Sequence, residues 1–138
     1  MTFTVTLQVR GYELDTLGHV NQAVYLQYGE HARWELLREA GVAGDKLIAE
    51  AIGPVVLETN IKYRRELRVG DEVIIDTDFE WEGGKIFHIR QLIRKLDGTT
   101  AAEILVTGGV MDLNARKLIL NPDERLRALA DRPELIGL

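Results

Sequence analysis

The sequence predicts an α+β fold in which one long helix covers an antiparallel sheet. A strongly apolar segment of helical spacing, Gln22 to Ala40, stands near the N-terminus and is long enough for about five turns. Beyond Gly53 the chain becomes a succession of alternating segments separated by Gly-Gly and Asp-Gly turns, with no second long helix between them. Strands joined by such short turns pair antiparallel, and the long helix is the natural cover for one face.

Each element has its own local reason. In Phe3 to Arg10, the residues Phe3, Val5, Leu7 and Val9 oppose Thr4, Thr6, Gln8 and Arg10, the period of a half-buried strand. Gly11 to Asn21 reads as a loop, with Gly18 free to take a backbone conformation closed to other residues. Asn21 is placed to cap the helix and Gly41 to stop it. The apolar residues of the helix, from Val24, Tyr25 and Leu26 through Trp34, Leu36 and Leu37, cover so much of its circumference that other structure should wrap it. Gly29 weakens a helix and is expected to mark close backbone packing. Glu30 and Arg33 can pair on one face, either as a surface ion pair or as a buried link.

A looser stretch runs through Gly53. Strands are then expected over Pro54 to Arg64 and Val73 to Trp81, the latter with Val73, Ile75, Thr77, Phe79 and Trp81 on one face. Gly83-Gly84 should form a tight hairpin into Lys85 to Leu96, and Asp97-Gly98 a turn into Thr99 to Leu113. Lys117 to Leu120 reads as a strand extension. Asn121 as a cap, Pro122 at the first helical position and acidic residues after it start a short helix through about Ala130. Without repeats, low-complexity tracts or linkers, residues 1–138 form one domain. A single helix cannot cover the whole sheet, so the other face or an edge should meet a second subunit.

Composition narrows the function. A net charge of −5 disfavours general nucleic-acid binding. The absence of cysteine removes disulfides, thiolate metal sites and a cysteine nucleophile. His19, His31 and His88 are scattered, so no metal is expected. The N-terminus lacks a secretion signal and no apolar run reaches membrane-spanning length, which reads as a cytoplasmic protein with no membrane association. No glycine-rich nucleotide motif is present.

Chemistry concentrates around Asp15, seven positions before Gln22. A helix N-terminus offers unpaired N–H groups that suit a developing oxyanion. A carboxylate one loop away can attack a carbonyl or activate water against it. That is the minimum apparatus for hydrolysing an activated acyl group. His19 is either a contributor to the site or a hydrogen-bonded structural histidine. Tyr25 and Tyr28 can line an acyl pocket or belong to the core. Lys62, Arg64 and Arg65 form a basic cluster, fit for phosphate groups or for solvent.

Two blocks carry a family resemblance. The run Val9-Arg10-Gly11-Tyr12, Leu14-Asp15, His19-Val20-Asn21, Ala23, Tyr25-Leu26, Glu30 and Ala32-Arg33-Trp34 resembles the hotdog acyl-CoA thioesterases. So does the block Asn60-Ile61-Lys62-Tyr63-Arg64-Arg65. The likeness is nearest to the bacterial thioesterase III group of the 4-hydroxybenzoyl-CoA thioesterase family, which acts on long-chain acyl-CoA. It implies a hotdog fold: a five-stranded antiparallel sheet around a long central helix, with a short C-terminal helix. It also implies Asp15 as the catalytic carboxylate and the backbone N–H of Gln22 as the carbonyl-polarising donor. His19 is a further catalytic candidate on its own chemistry, since histidine can serve as an acid or base. Gly18, Asn21, Tyr25, Tyr63, Arg64 and Arg65 become the substrate-binding candidates. Gln22 stands where some relatives carry a histidine, so its side chain is not expected to act as an acid or base.

The expected activity is hydrolysis of acyl-CoA, without a cofactor, by a homodimer or homotetramer whose sites lie between subunits. Three alternatives remain at this level: an acyl-acyl-carrier-protein thioesterase, a hotdog hydratase, and a non-catalytic acyl-CoA-binding domain. The first shares the phosphopantetheine donor, and the second requires a different acid/base set.

Overall fold

Antiparallel strands curl around a long helix in a computed structural model that describes residues 2–42 and 44–138. In chain order the elements are β1 (Phe3–Gln8), α1 (Gln22–Glu39), α2 (Gly44–Glu50), β2 (Ile52–Tyr63), β3 (Glu72–Trp81), β4 (Ile86–Lys95), β5 (Thr100–Asp112), the short β6 (Lys117–Leu118) and α3 (Pro122–Leu129). Single 3-10 turns occupy Gly11–Glu13 and Pro133–Ile136. The sheet order is β1-β3-β4-β5-β2, every neighbouring pair antiparallel, with β6 beside the end of β5. This is the expected hotdog arrangement.

The alternation of the sequence determines which side faces α1. Val73, Ile75 and Thr77 of β3 are buried, as are Phe87, Ile89, Gln91 and Ile93 of β4. They meet Tyr25, Tyr28, Ala32, Leu36 and Leu37 of the helix in one core. The opposite face of the sheet is polar. There Arg94 pairs with Asp76 and Arg90 with Glu80 across β3 and β4, while Thr4 Oγ1 donates to Asp76 Oδ1. A face laced with charges needs no apolar cover. β1 and β2 are the two edges.

On β2 the expected alternation fails. A bulge lies between Val56 and Glu58, so Leu57 has no partner on β5 and the inward face changes phase. Val56 and Leu57 are left 52% and 51% exposed. Small residues permit the close approach of β5 to its neighbours: a Cβ on Gly108 would lie 2.8 Å from the Val55 carbonyl.

Asn21 caps α1 as expected, its Oδ1 accepting from the Ala23 N–H at 2.8 Å. Gly29 marks close packing. A Cβ there would lie 2.8 Å from Gln91 Oε1 and 3.1 Å from Ile104 Cδ1. Gln91 is buried, and its Nε2 donates to the Gly29 carbonyl at 2.9 Å and to Thr77 Oγ1 at 3.0 Å. Its Oε1 accepts from Arg33 Nη1 at 3.0 Å, so the link made by Arg33 is to a glutamine rather than to Glu30. Burial lowers the Arg33 pKa from its ordinary value, and the Glu30 charge offsets part of that effect.

Three local expectations need correction. The looser stretch before Gly53 contains α2, whose single buried residue, Leu47, leaves too little periodicity to read as a helix. The Gly83-Gly84 hairpin is wider than a two-residue turn, because the last strand pair is Trp81 with Phe87. Asn121 does not cap α3 through its side chain; it adopts a left-handed backbone (φ 52°), which asparagine tolerates. None of the described helices is long and apolar enough to cross a membrane.

Candidate active site

The loop before α1 is folded by its own polar groups. The Asp15 N–H donates to the His19 carbonyl at 2.8 Å, and Gly18 N–H to the Asp15 carbonyl at 3.1 Å. Gly18 has φ 85°, the left-handed conformation for which a glycine was expected. The Asp15 side chain accepts from the Leu17 N–H through Oδ1 at 2.8 Å. Leu14 and Val20 form an isolated antiparallel bridge, and Asn21 N–H donates to the Glu13 carbonyl at 2.9 Å. The carboxylate is therefore presented by a short closed loop that ends at the start of α1.

Beneath the loop lies a buried polar cluster. Glu13 accepts from the Arg10 N–H and from Tyr28 Oη through Oε1, at 2.8 and 2.7 Å, and from Arg10 Nη2 through Oε2 at 2.8 Å. Burial, then the bond to Glu13, raises the Tyr28 pKa well above that of a free phenol. Tyr28 belongs to this support and to the core, and does not line the cleft described next.

A second segment closes over the first. The Val20 N–H donates to the Leu67 carbonyl at 2.8 Å, and both side chains are buried. Tyr63, the last residue of β2, donates from Oη to the Gln22 carbonyl at 2.9 Å. Its ring meets Tyr25 edge-on with centroids 5.2 Å apart. Burial raises the Tyr25 pKa from its ordinary value. These contacts enclose a cleft of about 360 Å³ lined by Asp15, His19, Val20, Gln22, Tyr25, Tyr63, Arg64, Arg65 and Glu66.

Seven of the residues singled out in the sequence thus converge: Asp15, His19, Gln22, Tyr25, Tyr63, Arg64 and Arg65. Gly18 and Asn21 lie outside the cleft lining and form its frame, one as the turn and one as the helix cap. Lys62 falls on the outer face of the sheet with Asn60 and Glu103. Among the described residues nothing accepts the N–H of Gln22, so the first helical donor is available to a ligand. Arg64 donates to Glu103 Oε2 from Nε and Nη2, at 3.1 and 2.8 Å, whereas the Arg65 side chain has no acceptor among the described residues. No group of three or more His or carboxylate side chains among the described residues could hold a metal ion. Glu66 is the lining residue that sequence reading passed over; its position directly after the Tyr-Arg-Arg block was the available signal.

A separate apolar cavity of about 320 Å³ lies further along α1. It is bounded by Trp34 and Leu37 of the helix, Leu47 of α2, Val55 and Val56 of β2, and Phe87 of β4, among others.

A helix embraced by an antiparallel sheet, with its N-terminus open beside a presented carboxylate, is the arrangement of a hotdog-fold enzyme. The chain belongs to the thioesterase-like superfamily, which it matches over residues 9–129, and it is a thioester hydrolase. It is 34% identical to the long-chain acyl-CoA thioesterase FadM of Escherichia coli K12 over 114 residues, which cover 82% of this chain and 86% of that protein. It is 38% identical over 71 residues to the chloroplastic acyl-acyl carrier protein thioesterase ATL3 of Arabidopsis thaliana, covering 51% of this chain and 37% of the relative. The crystal structure of YbaW from Escherichia coli superposes with a TM-score of 0.82 at 31% identity, over 93% of this chain and 98% of that one.

Proposed function

We propose that this protein is a cytoplasmic acyl-CoA thioesterase that hydrolyses long-chain fatty acyl-CoA to the free acid and coenzyme A. The observation that carries the reading is the convergence of Asp15, Gln22, Tyr63, Arg64 and Arg65, from two distant stretches of chain, on one cleft at the open end of α1. In this reading the thioester oxygen accepts from the Gln22 N–H, where the helix terminus stabilises the charge that develops on it. The Asp15 carboxylate then attacks the carbonyl carbon or takes a proton from the water that does so. On the first route the carbon–sulfur bond breaks as an Asp15–acyl anhydride forms, and water then hydrolyses that anhydride to the fatty acid and free Asp15; on the second, water adds to the acyl carbon and the carbon–sulfur bond then breaks. Either way the sulfur leaves as coenzyme A. Arg64 and Arg65 line the cleft, which supports a role for their guanidinium groups in meeting the phosphates of the nucleotide.

Long chains are favoured by the position of the apolar cavity. Trp34, on its wall, lies 12 residues along α1 from Gln22. That separation is about 18 Å at the helical rise, which a long acyl chain spans and a short one does not. The relationship to FadM supports the same substrate class.

The assembly we propose is a homodimer, paired or not into a tetramer, formed along β2. That strand pairs on one side only, with β5; its Val56, Leu57 and Tyr63 are exposed, as are Leu26 and Trp34 of α1, and Trp34 and Val56 border one cavity. The acyl-carrier-protein reading keeps a specific support in the match to ATL3.

The test is thiol release from a panel of short, long and aromatic acyl-CoA esters, with acyl-carrier-protein esters in competition at equal concentration. The highest kcat/KM is expected with long-chain acyl-CoA. Preference for the carrier-protein ester would favour the second reading, and no thiol release from any ester would refute both.

A further inference from the structure

His19 stands between two carboxylates. Its Nδ1 lies 3.6 Å from Asp15 Oδ2, and its Nε2 lies 3.4 Å from Glu66 Oε2. The two nitrogens occupy different edges of one rigid ring, so a contact at Nε2 constrains what Nδ1 faces.

Glu66 is itself held in place. Arg68 donates to its Oε1 from Nε and Nη2, at 3.1 and 2.6 Å, which leaves Oε2 for the imidazole. That bond, with smaller contributions from the nearby positive charges, keeps the Glu66 carboxyl below its ordinary pKa and therefore anionic at neutral pH. The spacing is set by the main chain. The hydrogen bond from Val20 to Leu67 joins the residue after His19 to the residue after Glu66, and both of these anchors are buried. On the far side Asp15 is restrained through Oδ1 by the Leu17 N–H. The result is a chain of contacts, Arg68–Glu66–His19–Asp15, that ends on the carboxylate beside the start of α1.

We propose that Glu66 is a positioning residue for Asp15: it fixes the His19 ring, and the ring holds the Asp15 carboxylate in the orientation the cleft presents. The inference rests on the reading of Asp15 as nucleophile or base. It follows the general logic by which a third group orients the partner of a reacting side chain. It gives His19 a role that requires no proton transfer by the ring. Glu66 does not touch the reacting atoms, and its effect passes through His19.

The experiment is a double-mutant cycle of Glu66→Gln and His19→Ala, with steady-state kinetics and the 15N spectrum of the His19 ring in the unliganded protein. Glu66→Gln keeps the side chain's size and removes its charge. It is expected to lower kcat about tenfold, the low end for groups that orient a reacting ligand, with KM little changed. The His19 ring resonances should shift in the same variant. In the His19→Ala background, Glu66→Gln should cost nothing further, because coupled residues are not additive. An equal loss in both backgrounds would overturn the proposal. So would a lowered KM at unchanged kcat, which would make Glu66 a repulsive charge facing the substrate phosphates. An unmoved ring spectrum would overturn it irrespective of turnover. If the wild-type protein released no thiol from any ester, the functional reading would fail, and the ring spectrum would still decide whether Glu66 holds His19.

Discussion

The Tyr63 hydroxyl donates a 2.9 Å hydrogen bond to the carbonyl of Gln22, joining the last residue of β2 to the first residue of α1. The two stretches of sequence that resemble thioesterases are thereby in direct contact. The bond fixes the peptide next to the N–H that we propose polarises the thioester. Tyr63→Phe keeps the edge-on packing against Tyr25 and removes only this bond. Stability should fall by about 1 kcal/mol, the usual net worth of one hydrogen bond. A disproportionate loss in kcat is expected, read from thiol release beside a denaturation curve.

Asp15→Asn keeps the shape of the side chain and the acceptor for the Leu17 N–H. It removes the anionic oxygen needed for attack or proton abstraction. Turnover should fall by about a hundredfold or more. Equilibrium binding of a non-hydrolysable acyl-CoA analogue and the melting temperature should change little. Near-normal turnover in a folded variant would remove Asp15 from the mechanism.

Arg64 and Arg65 should not contribute equally to ligand binding. Arg64 is engaged by Glu103, whereas Arg65 has no acceptor among the described residues. Arg65→Ala is expected to raise KM more than Arg64→Ala, with kcat little altered in either. Both effects should shrink as salt is added, because the side chains are exposed and their fields are screened. Titrating KM against ionic strength checks this.

Gly29→Ala sets two effects against each other. Alanine in a helix interior is favoured over glycine by about 1 kcal/mol. The added methyl would press on Gln91 Oε1 and Ile104, and Gln91 is held by three hydrogen bonds. Overpacking of this kind costs about 1–3 kcal/mol. The clash should win, and the melting temperature should drop.

The acid limb of stability should depend on Asp112. Its carboxylate accepts from the Ala115 and Asn114 N–H groups, which hold its pKa below the ordinary value. A depressed carboxyl stabilises the fold above its unfolded pKa and loses that contribution as pH falls through the folded value. Asp112→Asn should therefore reduce stability at neutral pH and flatten the decline below the ordinary carboxylate range. Denaturant midpoints across that acid range would reveal it.

How far the sequence could be read follows from where the determining interactions lie. The strand phase of β3, the cap at Asn21 and the close packing at Gly29 depend on neighbours in sequence or on a glycine, and each was readable. α2 was not, because seven residues with one buried side chain carry little period. The β2 bulge was hidden because it is a property of the pairing with β5 and not of β2 alone. Gln91 left a signal, a polar residue at an inward position between Ile89 and Ile93, but its three partners come from α1 and β3. At the site, Asp15 and Gln22 were accessible through their loop-and-helix spacing. Glu66 meets His19 only because Leu67 and Val20 bond across the fold.

The bonds from Gln91 to Gly29 and Arg33 also anchor the middle of α1 to the sheet. A helix packed only by apolar contacts can slide or roll as neighbouring side chains change size. Here the Gly29 carbonyl is bonded to Gln91 in the middle of the sheet, and so is Arg33, which itself lines the cavity at Trp34 and Leu37. A helix held at its middle in this way keeps its first turn at Gln22 in register with the sheet when side chains near Trp34 change size.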